Sequence, residues 1–482
     1  MAEELNKKVA RATKWSSLTE IAAKLVSPIS TMILARLLAP DAFGILVTAT
    51  MVISFAELFT DAGFQKYLIQ HKFDSREDLY KSTTAAFWSN LIMSLVIWAV
   101  IIIFSGQIAM LVGSEGHGDV IAVSCFCIPL AAFSSIQMAL YKRDLDFKTL
   151  FLVRIIGVFI PLVITIPIAY YTRSYWSLII GMIALNLSNA VILTVKSKWK
   201  PKLFYSFKLL KEMFSFTVWS MIEAISIWLT SYIDIFIVGT MLNEHYLGIY
   251  RTSMTTVGQI MGLVTAATTP VLFSSLSKLQ DNDAELKRMF FSFQKLVGIL
   301  VIPLGVGIFL FQDLITEILL GSQWHEAAHF IGLWGLTSAL TIVLSHYCSE
   351  IYRAKGKPKL SVLVQILHIV CLVPVILWAV QYDFRFLCDM RALVRLTLII
   401  INLFVLYNVI RISFVGMFKN ILPAIIASVI MTGFALLTDA SSYSIFWQIV
   451  MCLACAIVYA GTLMLFPKER NIIFNLKSKL RS

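Results

Sequence analysis

The sequence predicts an all-α integral membrane protein of about fourteen spanning helices, and three observations carry that prediction. Hydrophobic residues make up 59% of the 482 and charged residues only 14%, with a mean hydropathy of +0.82. A water-soluble domain carries about 25% charged and 45–50% apolar residues. The apolar residues gather into stretches of about 20, the length an α-helix needs to cross the hydrocarbon core. The Lys and Arg behind the net charge of +12 sit in the short segments between those stretches. Disorder, a secreted disulfide scaffold, a soluble enzyme and a nucleic-acid partner do not fit this pattern.

Taken in order, the expected spans are 13–36, 42–62, 83–105, 119–141, 149–171, 175–195 and 213–238. Then come 247–272, 290–311, 328–350, 360–380, 392–411, 418–437 and 444–466. The stretch after the charged N-terminus is long and contains Glu20 and Lys24, without a small-residue cleavage site, so it reads as a retained helix rather than a signal peptide. Placing the N-terminus inside puts 32 of the 40 Lys and Arg on the cytoplasmic side. That asymmetry predicts an even number of spans and both termini in the cytoplasm. Trp88, Trp98, Trp176, Trp324 and Trp447 fall near expected interfaces, as an aromatic belt does.

Six of the seven cysteines fall in apolar segments and read as buried small apolar residues, Cys388 being the exception. Cys452-Leu-Ala-Cys455 has no partner His or Cys for a metal. There is no glycine-rich phosphate loop for ATP and no His-Glu-x-x-His cluster.

The chain repeats itself. Leu37-Leu38-Ala39-Pro40-Asp41-Ala42-Phe43-Gly44-Ile45-Leu46 and Met241-Leu242-Asn243-Glu244-His245-Tyr246-Leu247-Gly248-Ile249-Tyr250 align at an offset of 204, as do Trp15-Ser16 and Trp219-Ser220. Gly113-Ser114 parallels Gly321-Ser322, and Leu140-Tyr141-Lys142 with Lys148 parallels Ile351-Tyr352-Arg353 with Lys359. Six helices per copy is even, so both copies insert the same way up. A pseudo-twofold axis along the membrane normal follows, a transporter plan with the substrate site between the halves. The expected division is an N-lobe over 1–195, a basic linker over 196–212, a C-lobe over 213–412, and two further helices with a tail over 413–482.

Ionisable groups at membrane depth cost roughly 2.5–3.5 kcal/mol each on insertion scales, so they face a cavity or a partner. Glu20 and Lys24 share a face of the first helix. Ser54, Glu57 and Asp61 form a stripe on the second, Glu223, Thr230 and Asp234 on the seventh, and Arg251, Thr255 and Gln259 on the eighth. These four helices open the two repeats, and interhelical ion pairs do not explain why the stripes recur on equivalent elements; a water-filled central cavity does. Asp61, Asp234 and Arg251 lie near helix ends, within reach of interfacial water. Arg154 and Arg395 either snorkel or line a cavity. His346 and Glu350, four apart, form a proton relay or are simply hydrogen-bonded, and His368 reads as hydrogen-bonded.

Arg36-Leu-Leu-Ala-Pro-Asp-Ala-Phe-Gly44, Asp61-Ala-Gly63 and Leu247-Gly-Ile-Tyr-Arg251 resemble the polysaccharide transport (Wzx-type) flippases. So do Ser274-Ser-Leu-Ser-Lys-Leu-Gln280 and Leu320-Gly-Ser-Gln-Trp324. These belong to the multidrug/oligosaccharidyl-lipid/polysaccharide (MOP) exporter superfamily. The resemblance, from Trp15 to about Pro467, implies a MATE-like fold of two six-helix lobes with alternating access. It also implies an undecaprenyl-diphosphate-linked oligosaccharide as substrate, a bacterial cytoplasmic membrane as location, and surface polysaccharide assembly proteins such as a polymerase as partners. Lys24 and Arg251 match basic positions that face the lipid diphosphate. Arg154, Glu20, Thr255 and Gln259 complete the candidate substrate-facing set. Glu57, Asp61, Glu223 and Asp234 are the candidate carboxylates for sugar or for coupling H+ or Na+; no other cofactor, no metal and no enzymatic step is expected. The competing reading is a cation-coupled drug or metabolite antiporter of the same fold.

Overall fold

The computed structural model describes residues 15, 23–24, 26–61, 64–357, 359–438, 444–467 and 469–470, with the side chains of 61, 212, 214–223, 270 and 410 left aside. Every regular element among them is helical. Inside lipid each backbone N–H and C=O must be satisfied within its own segment, and an unbroken helix does this. Among the described residues, thirteen helical segments are long and apolar enough to span, from Pro40–Thr60 to Ile445–Met464. They match the second to fourteenth expected spans. The described part of the first is the shorter apolar helix α1, Val26–Leu37.

The chain divides into two compact units, Met1–Gly248 and Ile249–Ser482. The first holds α1, α2 (Pro40–Asp61), α3 (Phe64–Gln70), α4 (Arg76–Ile103), α5 (Ser105–Leu111), α6 (Gly118–Ser124) and α7 (Cys127–Arg143). It continues with α8 (Phe147–Ile160), α9 (Ile166–Thr172), α10 (Trp176–Lys196) and the 35-residue α11 (Phe207–Met241). A π-turn over Pro161–Thr165 joins α8 to α9. Its core near one end packs Phe64, Tyr67, Phe87, Ile136, Trp199 and Met213. The helix α12 (Glu244–Ser277) begins in the first unit and carries the chain into the second.

The second unit holds α13 (Asp283–Leu310), α14 (Gln312–Leu319), α15 (Ala328–Thr341), α16 (Cys348–Ala354) and α17 (Lys359–Ala379). After them come α18 (Phe384–Val394), α19 (Thr397–Ile410), α20 (Phe414–Leu437) and α21 (Ile445–Met464). A second π-turn, Ile342–His346, joins α15 to α16. The segment Ser322–Ala354 is the heart of this unit: 78% of its apolar window is buried, against 17% for Ile445–Met464. Residues such as Leu437, Ile400 and Phe404 turn outward, as a lipid-facing surface requires.

The internal repeat is visible in the backbone. Phe104 breaks α4 from α5, and Phe311 breaks α13 from α14, with similar dihedral angles (φ −104°, ψ 19° and φ −111°, ψ 35°). Gly113 and Gly321, both at positive φ, follow the short helices. Two expectations need correction. Trp324 is fully buried rather than part of an interfacial belt. Cys371 and Cys452 are exposed on the outer faces of their helices, where a thiol sits against lipid as readily as in a core.

Candidate functional site

In the first unit, α11 packs along α2, and this brings two of the polar stripes together. Trp228 Nε1 on α11 donates to Ser54 Oγ on α2 at 3.0 Å, and the Trp228 ring lies against Phe55 and stacks on Tyr232. One turn further along α2, Glu57 is half-buried and engaged, and Thr60 donates to its carbonyl at 3.3 Å. Asp234 is 3% exposed, and its Oδ1 accepts from the Ile235 amide at 2.9 Å. It is thus packed inside the unit rather than at interfacial water, because α11 continues to Met241. Lys24 is half-buried, whereas Arg154 stands exposed on α8. Glu20 lies outside the described residues, and Asp61 and Glu223 are placed only by their helical backbone.

One end of this unit is closed by the two copies of the repeated motif. A Cβ on Gly44 would sit 1.9 Å from the Glu244 carbonyl oxygen, and one on Gly248 would sit 2.0 Å from that of Pro40. With an offset of 204, Gly44 corresponds to Gly248 and Pro40 to Glu244, so the two contacts are one contact made twice. Asp41 and His245, also equivalent, meet each other at 3.1 Å (Oδ2 to Nδ1). Reciprocal pairing of equivalent residues is what a two-fold axis produces. Glu244 extends the clasp: its Oε1 accepts from Ser114 Oγ at 2.8 Å and lies 2.9 Å from His117 Nδ1. Sequence reasoning singled out neither Asp41 nor His245 as a pair. The equal offset of 204 and the hydrogen-bonding complementarity of a carboxylate and an imidazole were the available signal.

In the second unit Arg251 and Gln259 are half-buried and engaged on α12, with Thr255 exposed on the same face. Next to Arg251, Tyr250 is buried and its hydroxyl accepts from Arg391 Nε at 3.0 Å. The Trp334 ring lies beneath two guanidinium groups, with Arg391 Cζ at 4.8 Å and Arg395 Cζ at 4.1 Å from its centre. Arg395 also donates to Ser338 Oγ at 2.5 Å. Arg395 therefore lines a cavity instead of snorkelling; the space, about 200 Å³, is bordered by Ser345, His346, Ser361, Gln365 and Asn402. The π-turn at 342–346 widens the helix there, and such bulges recur at functional sites. Arginines 391 and 395 were missed as a pair because nothing in the sequence marks the tryptophan, 57 residues upstream of Arg391, as their platform.

The histidines take the simpler of their two expected roles. His346 Nε2 lies 3.4 Å from Thr269 Oγ1, and Glu350 pairs with Arg353 at 3.2 Å, so no relay between His346 and Glu350 is formed. His368 Nδ1 is 2.9 Å from Thr397 Oγ1. His329 Nε2 and Asp389 meet at 2.6 Å.

A family model described as "Polysaccharide biosynthesis protein" matches residues 33–329. Among curated relatives, the chain is 23% identical to an uncharacterized membrane protein in the cps region of Klebsiella pneumoniae, over 79% of this chain and 78% of that one. It is 22% identical to the succinoglycan biosynthesis transport protein ExoT of Rhizobium meliloti (strain 1021), over 69% and 67%. It is 20% identical to the lipopolysaccharide biosynthesis protein WzxC of Escherichia coli (strain K12), over 67% and 65%. Among solved structures, the lipid II flippase MurJ in an inward closed conformation superposes with a TM-score of 0.73 at 14% identity, covering 95% of this chain and 99% of that one. An inward-facing multidrug resistance MATE family transporter of the MOP superfamily superposes at 0.58 and 14% identity, covering 80% and 96%. At such identities the superpositions speak for the fold, which is that of the MOP superfamily.

Proposed function

The chain belongs to the polysaccharide biosynthesis protein family, and on that premise we propose that it is a flippase for undecaprenyl-diphosphate-linked oligosaccharide. The lipid-linked sugar would pass from the inner to the outer leaflet of a bacterial cytoplasmic membrane for surface polysaccharide assembly. Names among its relatives support this reading, since ExoT is a transport protein and WzxC a biosynthesis protein for such polymers.

The observation that carries it is chemical. A buried hydroxyl without a partner costs about 4–8 kcal/mol on the cyclohexane scale, so an oligosaccharide cannot cross lipid unaided. This chain keeps Ser54, Glu57 and Thr60 in one unit and Arg251, Thr255 and Gln259 in the other on helices long and apolar enough to span, with Lys24 half-buried just ahead of the shorter apolar helix α1. Groups so costly at that depth are retained where they meet a polar cargo. Lys24 and Arg251 would attract the diphosphate. Hydroxyls and carboxylates would replace water around the sugar while the prenyl tail stays in the bilayer. Glu57 and Asp61, with Glu223 and Asp234, are the groups we assign to sugar or to coupled H+ or Na+. The Gly44–Gly248 clasp would open and close one side of the path, which is the event alternating access needs. No step in this scheme makes or breaks a covalent bond.

The Lys and Arg asymmetry supports both termini in the cytoplasm, with lobes over 1–195 and 213–412 and the appended helices following. A polymerase acting on the delivered sugar would be the partner.

The test is the lipid extract of a strain lacking the gene. Diphosphate-linked oligosaccharide should accumulate on the cytoplasmic side with surface polymer lost. Lys24→Ala and Arg251→Ala should reproduce that loss without lowering the amount of folded protein. Intact polymer together with increased drug sensitivity would favour the antiporter reading instead.

A further inference from the structure

The basic segment between α10 and α11 takes no part in the scheme above. Its sequence, Lys196-Ser-Lys-Trp-Lys-Pro-Lys202, alternates cation and non-cation. Residues 197–206 are non-helical, and in an extended chain successive side chains point to opposite sides. Burial follows this alternation: Ser197 and Trp199 are buried, Pro201 is half-buried, and Lys198, Lys200 and Lys202 are exposed.

The buried side is anchored. Trp199 packs edge-on against Phe87 at 5.5 Å, and its Nε1 donates to Thr84 Oγ1 at 3.3 Å. Trp88 Nε1 donates to the Lys202 carbonyl at 2.8 Å. The three lysines are therefore held beside the first turns of α4 on a backbone pinned at both ends. Between them and α4 lies a cavity of about 640 Å³, lined on the helix side by Arg76, Tyr80 and Lys81. Glu77 is its one lining carboxylate and is paired with Lys81 at 2.8 Å. Arg76 and the three lysines give an excess of positive charge around a space large enough for a phosphodiester headgroup.

The rim is apolar. Leu203 is 96% exposed and Phe207 78%, with Tyr205 beside them. An aromatic and aliphatic rim next to cations, at the end of a spanning helix, is the composition that sits at a membrane–water boundary. Basic cavities between spanning helices on the cytoplasmic side bind anionic lipid headgroups.

We propose that this cavity binds the phosphate headgroup of an anionic phospholipid from the cytoplasmic leaflet. Arg76, Lys198 and Lys202 hold the phosphate, Lys200 adds positive charge at the edge while its Nζ donates to the Thr194 and Val195 carbonyls at the end of α10, and Leu203 and Phe207 lie along the acyl boundary. The site is separate from the transport stripe, so its failure leaves the flippase reading untouched.

The experiment uses the purified full chain in micelles, with lipid retention read by native mass spectrometry. Phosphatidylglycerol should be retained over phosphatidylethanolamine by roughly tenfold or more. The triple variant K198Q/K200Q/K202Q should bring that ratio near parity. The variant K208Q/K211Q, which removes nearby cations outside the cavity, should keep it. An unchanged triple variant would overturn the proposal, as would equal loss in the control, which means diffuse attraction. Retention of a short-chain prenyl diphosphate in place of phosphatidylglycerol would overturn it too and assign the cavity to the transported lipid. Should the triple variant fold poorly, R76Q/K81Q tests the opposite wall.

Discussion

The two copies of the repeat agree where backbone meets backbone and differ where side chains face a neighbour. Gly44 and Gly248 are the same residue because each lies beneath a carbonyl of the other copy, at distances no Cβ tolerates. Gly113 and Gly321 agree because both turns need positive φ. Asp41 and His245 occupy equivalent positions and are not the same residue. At a two-fold axis a residue meets its own counterpart, and two aspartates there would repel each other. Identity is demanded by close approach and forbidden by charge. Away from the axis the copies diverge further: carboxylates Glu57, Asp61 and Asp234 mark the first unit, and Arg251, Arg391 and Arg395 mark the second.

The sharpest way to break this comparison is to add atoms at the close approach. Gly44→Val and Gly248→Val each drive a side chain into a backbone oxygen, which has no flexible end to yield. We expect a loss of about 3 kcal/mol or more, or a clasp forced open. Thermal midpoints in detergent, with transport assayed beside them, would register either. Gly258→Ala is the control: nothing lies within 4 Å of its added Cβ, and Ala is the better helix former by about 0.5–1 kcal/mol, so stability should hold or rise slightly. Equal behaviour of Gly44→Val and Gly258→Ala would remove the reciprocal clasp.

Next in size is the cationic side of the comparison. Trp334→Leu removes the ring beneath Arg391 and Arg395, and each cation–π contact is worth about 2 kcal/mol when desolvated. A double-mutant cycle with Arg395→Met would isolate the pair. A coupling energy near zero would mean that the ring only fills space.

The Asp41–His245 pair should count for less. Its side chains are 55% and 34% exposed, and exposed pairs contribute about 0–1 kcal/mol. Asp41→Asn and His245→Asn should each shift stability within that range. Exchanging the two, D41H with H245D, should restore the parent value, because the axis makes the positions interchangeable. Failure of the exchange would mean that the two environments differ.

Sequence reasoning reached the helices easily, because lipid imposes one rule on every span: about 20 apolar residues with internal hydrogen bonds. It reached the repeat through short motifs that glycine geometry constrains. It located the polar stripes but not what each member touches. Nothing in a helical spacing says that Ser54 receives an indole N–H from Trp228, that Asp234 is buried, or that Arg154 faces outward. Those outcomes depend on which helix packs against which, and pattern on one helix carries no information about its neighbour. The clasp lay between: its glycines were legible as a repeat, its contacts were not.

The smallest effect, at Leu145, tests the repeat where it is least expected to differ. After α7 the Leu145 amide donates to Lys142 O and the Asp146 amide to Tyr141 O, at 3.2 and 2.9 Å. After α16 the Gly356 amide donates to Arg353 O and the Lys357 amide to Tyr352 O, at 3.0 and 2.8 Å. Each is the double hydrogen bond of a Schellman motif, whose C′ residue is left-handed and is usually glycine. Gly356 obeys this with φ 67°, and Leu145 adopts φ 58° despite its side chain. The left-handed conformation costs an L-residue roughly 1–2 kcal/mol, and a half-buried leucine recovers part of that by packing. Gly356→Leu should therefore destabilise by about 1 kcal/mol, since its Cβ meets nothing within 4 Å that could compensate. Leu145→Gly should be nearly neutral, because relief of strain and loss of contact offset each other. Denaturation midpoints of both variants would check this. A large loss at Leu145→Gly would mean that packing, not backbone geometry, holds that turn, and that the two copies reach one conformation by different means.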